Sequence, residues 1–154
     1  MSVGRRNQSG PKLLCTTRKT VRRLPRMEFI IPDDPPEVVF PFERLQTYQA
    51  ARAFLGLIDP IVRDKKCGTA EMRDQLHRAG LSFKLNIAEG ATEYSKPDKI
   101  RFFRISSRSA GECVAVLDEF GRWQCIDPLT HRKARYVLNA GIGMLTRLIT
   151  SIRP

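Results

Sequence analysis

The sequence predicts an all-α, antiparallel up-down-up-down four-helix bundle over residues 38–154, preceded by a basic, disordered N-terminal tail over residues 1–37. Three observations predict it. Four stretches carry apolar residues at the three-and-four spacing of a helix, the connections between them are short and polar or bear proline, and almost nothing alternates as a strand would. At 154 residues the chain is about one domain's worth, long enough for a core.

The tail comes first. Residues 1–26 hold eight basic residues (Arg5, Arg6, Lys12, Arg18, Lys19, Arg22, Arg23 and Arg26) and no acidic one. They lack helical periodicity, and Ile31-Pro-Asp-Asp-Pro-Pro36 cannot continue a helix. The whole chain has 27 Lys and Arg against 16 Asp and Glu, a net +11. Residues 38–154 alone have 19 basic against 12 acidic residues, a net +7, so the body is basic without its tail. Such a field attracts polyanions, nucleic acid foremost, in a salt-dependent way.

Each helix then has its own signature. The first is expected from Pro41 to Val62, with Phe42, Leu45, Tyr48, Leu55 and Ile58 as its buried stripe and Pro60 kinking or ending it near Asp59. Thr69 caps the second, whose stripe is Met72, Leu76, Ala79, Phe83 and Ile87, widened by Leu81, Leu85 and Ala88. Gly80 on this helix suits close approach of a neighbour. The third is expected from Lys96 to about Cys125, with Ile100, Phe103, Ala110, Val114 and Leu117 inward. Asp127-Pro128 starts the fourth, a cap followed by proline at the first helical position, and Ala134, Val137, Leu138, Ile142, Leu145, Leu148, Ile149 and Ile152 form its apolar face. The apolar faces of helices two and three are broader than one bundle can bury, which implies self-association as a homo-oligomer.

The corner between helices two and three is the most distinctive stretch. Gly90 suits the left-handed conformation that stops a helix, and Ser95 caps the next one, with Asp98 three places on. Ser82, Asn86 and Glu89 share one face of helix two. Ser106, Ser107, Ser109 and Glu112 form a polar middle on helix three that faces them, so a hydrogen-bonded seam is expected.

Leu81-Ser-Phe-Lys-Leu-Asn-Ile-Ala-Glu-Gly90, Ser95-Lys-Pro-Asp98, the run Phe102–Glu112 and Leu117 resemble the four-helix bundle proteins of the ribosomal RNA intervening-sequence type. That family includes the accessory variability determinants of diversity-generating retroelements. The resemblance covers about Phe42 to Ile152. It implies a left-handed bundle that assembles into a ring, a homopentamer in the retroelement members, whose positive surface binds nucleic acid and a partner reverse transcriptase. Asn86, Ala88, Glu89 and Gly90 match the corner motif, and Ser109 and Glu112 match the helix-three motif; with Ser82 these are read as architectural. Gly111, where the pattern favours a better helix former, and Pro60 depart from it.

Arg101, Arg104 and Arg108 make a row at three-and-four spacing on helix three, and Arg132, Lys133 and Arg135 are polar-side cations of helix four. These six are the candidate nucleic-acid contacts, for RNA or DNA. The alternative is a protein–protein scaffold of the intervening-sequence type, with the arginines serving subunit contacts. Trp123 reads as a buried or interface anchor, with base stacking as the other reading. No catalytic residue is assigned: no Ser/His/Asp grouping, paired-carboxylate site or phosphate-cradling glycine loop is present, and His77 has no companion ligand. Cys15, Cys67, Cys113 and Cys125 lack metal-site spacing, so no metal or cofactor is expected. The absence of a secretory signal or an apolar span points to a cytoplasmic protein away from membranes.

Overall fold

The computed structural model describes residues 32–152. Most of the tail expected over residues 1–37 lies outside them. Among the described residues there are four helices and no strand: α1 (Gln46–Arg63), α2 (Ala70–Thr92), α3 (Lys96–Arg122) and α4 (Pro128–Ile152), with a short 3-10 turn, Pro41–Arg44, ahead of α1. Each helix packs on its neighbours in sequence and α1 closes against α4, while the diagonal pairs keep their backbones apart. The expected four-helix bundle is what forms. No helix among the described residues is long and apolar enough to cross a membrane.

The first expected helix is divided. Pro41 opens one helical turn, the Glu43 carboxylate accepts the Phe40 N–H at 2.8 Å, and Leu45 then turns extended (φ −69°, ψ 125°) before α1 begins. The Phe42 ring stacks on Phe40 and meets Tyr48 edge-on, with centroids 5.2 Å apart in the second pair. The expected end at Val62 is met within one residue: α1 runs through Pro60 to Arg63 and is not cut short near Asp59. Proline removes a donor to the carbonyl four residues back. Here that residue is Gly56, exposed and uncrowded, so water can serve its carbonyl.

Caps start the other helices as expected. The Thr69 hydroxyl accepts the Met72 N–H at 3.2 Å, and Asp127 Oδ1 accepts from Leu129 and Thr130 N–H at 3.0 and 2.9 Å. Ser95 accepts from Asp98 N–H at 3.5 Å, but it is Glu93, rather than Asp98, that receives the Ser95 N–H. The box at this corner is thus closed from the preceding side.

Gly90 does not stop α2. It lies inside the helix, which continues to Thr92, and Gly68 is the glycine with positive φ among the described residues. Its use is steric instead: a Cβ there would stand 2.6 and 2.8 Å from Phe103 Cε1 and Cδ1. Phe103 is fully enclosed and cannot retreat. Gly90→Ala is therefore expected to cost about 1–2 kcal/mol of stability, overpacking outweighing about 1 kcal/mol of better helix propensity. Gly111 is exposed with nothing near it, so Gly111→Ala should instead gain up to about 1 kcal/mol. Urea denaturation of the two variants checks the opposite signs.

Gly80 does serve close approach, its missing Cβ leaving room for Leu55 Cδ2, Ile58 Cδ1 and Phe54 Cε1 of α1 at 3.0–3.3 Å. On α4, Gly141 does the same for the Phe83 ring, whereas Gly143 faces open space. Helix α3 ends at Arg122, three residues short of Cys125. Gln124 takes φ 57°, its N–H donating to Gly121 O and that of Cys125 to Phe120 O, both at 3.0 Å. That is a Schellman stop built without glycine.

The core comprises the fully enclosed Phe54, Phe83, Phe103 and Phe120 with Ile58, Leu76, Ile87, Leu117, Leu138 and Leu145. On α1 the inward stripe is Tyr48, Ala51, Phe54, Ile58 and Ile61, with Leu55 at its edge. The extra breadth expected on α2 is real at Leu85, which stays half exposed.

Candidate nucleic-acid interface

Four of the seven expected seam positions, Ser82, Asn86, Ser106 and Ser109, bond into the contact between α2 and α3. The Ser82 and Ser109 hydroxyls are 2.8 Å apart, Ser109 also donates to Ile105 O, and Asn86 Nδ2 donates to Ser82 O and Oγ at 2.8 and 3.1 Å. Ser106, fully buried, donates to Phe83 O at 2.7 Å. Small hydroxyls suit this place because they let α2 and α3 approach while satisfying their own polarity.

The two carboxylates expected in the seam are not in it. Glu89 is exposed, and Glu112 is exposed and bonded to Gln75. Since Ser82 faces Ser109 in an antiparallel pair, Glu89 lies level with about Phe102, near the start of α3, and Glu112 level with about Ala79, in the middle of α2. They stand about ten residues apart along α2, about 15 Å at the helical rise, and make no catalytic dyad with each other.

Arg101, Arg104 and Arg108 are all exposed on α3, and none pairs with a carboxylate among the described residues. The acids of α3 that make ion pairs or side-chain bonds do so elsewhere: Glu112 with Gln75, Glu119 with Arg122, and Asp118 with His131 and Arg135. Arg101 lies 5.8 Å from the Phe102 ring centre. Like charges at three-and-four spacing repel by a few tenths of a kcal/mol per pair.

The cations of α4 divide. Arg132 and Lys133 are exposed without ion pairs among the described residues. Arg135 binds Asp118, whose carboxyl is held below its usual range chiefly by that bond, with His131 Nε2 at 3.0 Å helping. Asp118 is ten residues along α3 from Arg108, about 15 Å at the helical rise. The two sets of cations are thus separate, and Arg135 is the one already occupied. The Asp118–His131–Arg135 link was invisible beforehand, because a contact between helices follows no spacing within either of them.

Trp123 is 40% exposed at the end of α3, with Arg122 5.7 Å from its ring centre. It is a surface residue rather than a buried anchor. Burial pushes the Cys113 thiol up to about 12 and Cys67 up to about 11, so neither is a nucleophile at neutral pH. No cluster of three or more potential metal ligands occurs among the described residues.

The family described as 23S rRNA-intervening sequence protein matches residues 43–147. No curated protein matches the chain.

Proposed function

The chain belongs to the 23S rRNA-intervening sequence protein family, and on that premise we propose that it is a non-catalytic, nucleic-acid-binding homo-oligomer. The observation that carries this reading is the row Arg101, Arg104 and Arg108, outermost and without carboxylate partners. Guanidinium groups at this spacing fit successive phosphates, and Arg132 and Lys133 add a separate basic patch on α4. Binding of this kind is electrostatic and weakly selective between RNA and DNA.

The resemblance of the α2–α3 corner to retroelement accessory proteins supports the finer form of the proposal. The subunits form a homopentameric ring in the cytoplasm, and the ring presents nucleic acid to a reverse transcriptase. Exposed apolar side chains supply surface for assembly: Leu85 at 50%, Tyr94 at 99% and Tyr136 at 75%.

Those same side chains favour a second reading, a scaffold whose arginines meet acidic groups of protein partners. Fluorescence anisotropy of the full chain with a single-stranded RNA and DNA, alongside light scattering, separates the two. Binding in the micromolar range at about 50 mM salt, weakened at least tenfold at about 200 mM, is expected. With Arg101, Arg104 and Arg108 all changed to Glu, the oligomer should persist while binding falls. Dissociation of the oligomer by that change would favour the scaffold.

A further inference from the structure

We propose that Cys67 and Cys125 are an oxidation site, at which a peroxide joins the α1–α2 connection to the α3–α4 connection through a disulfide. The pair stands apart from the α3 arginine row and does not depend on that row binding nucleic acid.

Both cysteines sit in turns at one end of the bundle. Cys67 lies between α1 and α2, just before Gly68, whose φ of 64° carries the chain in against the Phe120 ring. Cys125 lies between α3 and α4, where its N–H donates to Phe120 O at 3.0 Å. Phe120 thus organises both turns. Although 58 positions separate the two cysteines in sequence, Cys67 Sγ donates to Cys125 O at 3.4 Å. The thiols act on each other as well: burial first, and then the charge and hydrogen bond of the Cys125 thiol, hold Cys67 protonated. Cys113 is the contrast, a thiol enclosed in the core and raised by burial and Glu112 alone.

The turns hold the pair in place. Cys67 N–H donates to Asp64 O at 3.0 Å, and Arg73 Nη1 donates to the carbonyls of Cys67 and Gly68 at 2.9 and 2.8 Å. Groups fixed side by side in this way react with each other far faster than with the same group free in solution. Both cysteines line an open groove of about 370 Å³, together with Ile61, Ile126 and Thr130. Cys67 is only 3% exposed whereas Cys125 is partly exposed, so Cys125 is the one that meets the oxidant.

The chemistry balances with hydrogen peroxide as the oxidant. The Cys125 sulfur, its proton given up, attacks one peroxide oxygen; the O–O bond breaks, an S–O bond forms, and the first water leaves. The Cys67 thiol then closes on the Cys125 sulfur. The S–S bond forms as the S–O bond breaks, and the Cys67 proton departs with that oxygen as the second water, so Cys67 need not ionise beforehand. Two electrons pass from the sulfurs to the peroxide. The closed loop spans nearly half the chain, and a cross-link of that length restricts the unfolded chain far more than the folded one.

Treatment of the full chain with equimolar hydrogen peroxide, alkylation of the remaining thiols, tryptic digestion and mass spectrometry test the assignment. Peptides 67–73 and 123–132 should appear joined, lighter than their sum by two hydrogens, and dithiothreitol should part them. On a non-reducing gel the oxidised protein should still run as a single chain. It should melt about 5–15 °C higher than the reduced protein, as closing a loop of this length predicts. Cys67→Ser and Cys125→Ser should each abolish that rise, whereas Cys15→Ser should keep it. Each variant is compared oxidised against reduced, which separates the rise from any change in the variant's own stability. Peptides that stay apart under peroxide, a bond from either cysteine to Cys15 or to a second chain, or an oxidised protein that melts no higher would each overturn the proposal.

Discussion

Phe83→Ala is expected to lower the unfolding free energy by about 3–5 kcal/mol, the range for emptying a large aromatic site in a packed core. The ring has no exposure and sits where α1, α2 and α4 meet. It meets Phe54 at 6.5 Å between centroids with planes 65° apart, and its Cζ lies 2.7 Å from where a Cβ on Gly141 would be. Against it stands Gly141, which has no side chain to swing inward, so the cavity cannot collapse cheaply. Urea denaturation should show an earlier midpoint with little change of slope. A loss below about 1.5 kcal/mol would mean that the ring is not the hub of the bundle.

Neutralising the α3 row by changing Arg101, Arg104 and Arg108 to Gln should reduce the slope of log K against log salt by about 2–3, at 0.7–0.9 per phosphate contact released. Affinity near 50 mM salt should fall by about tenfold or more. The basic residues of positions 1–26 and of α4 remain, so binding should persist at a reduced level. Stability should hold or rise by a few tenths of a kcal/mol as like-charge neighbours are relieved. An unchanged slope would transfer the binding to other parts of the chain.

Periodicity and caps made the four helices legible: Thr69, Ser95 and Asp127 each receive the backbone N–H that their side chains announce. What stayed hidden depends on three-dimensional neighbours. Gly90 as a helix stop and Gly90 as room for Phe103 are the same letter in the sequence, and only the position of the ring decides between them. Gln124 gives no sign of the left-handed turn it takes, a conformation in which glycine would be easier. Pro60 was read as kinking or ending the helix because the sequence does not say that Gly56, four residues back, is exposed. In the candidate interface, exposure of the α3 arginines was readable from their spacing, whereas the capture of Arg135 by Asp118 required knowing which turns of α3 and α4 stand level. The two glutamates were placed in the seam by face alone, without their height along the axis.

The hydroxyl of Ser106 reaches across to a carbonyl that already has a helical partner in Ile87 N–H. Losing that oxygen would strand no buried group, so its worth is small in energy. It is a notch, not a bolt. Slide one rod past its neighbour by a single turn and the notch finds no counterpart, nor does the Ser82–Ser109 pair beside it, and Phe103 loses the room that Gly90 leaves it. Alignment of the two rods, and with it the height at which the outer guanidiniums stand, is thus set by small hydroxyls as well as by the large rings beside them.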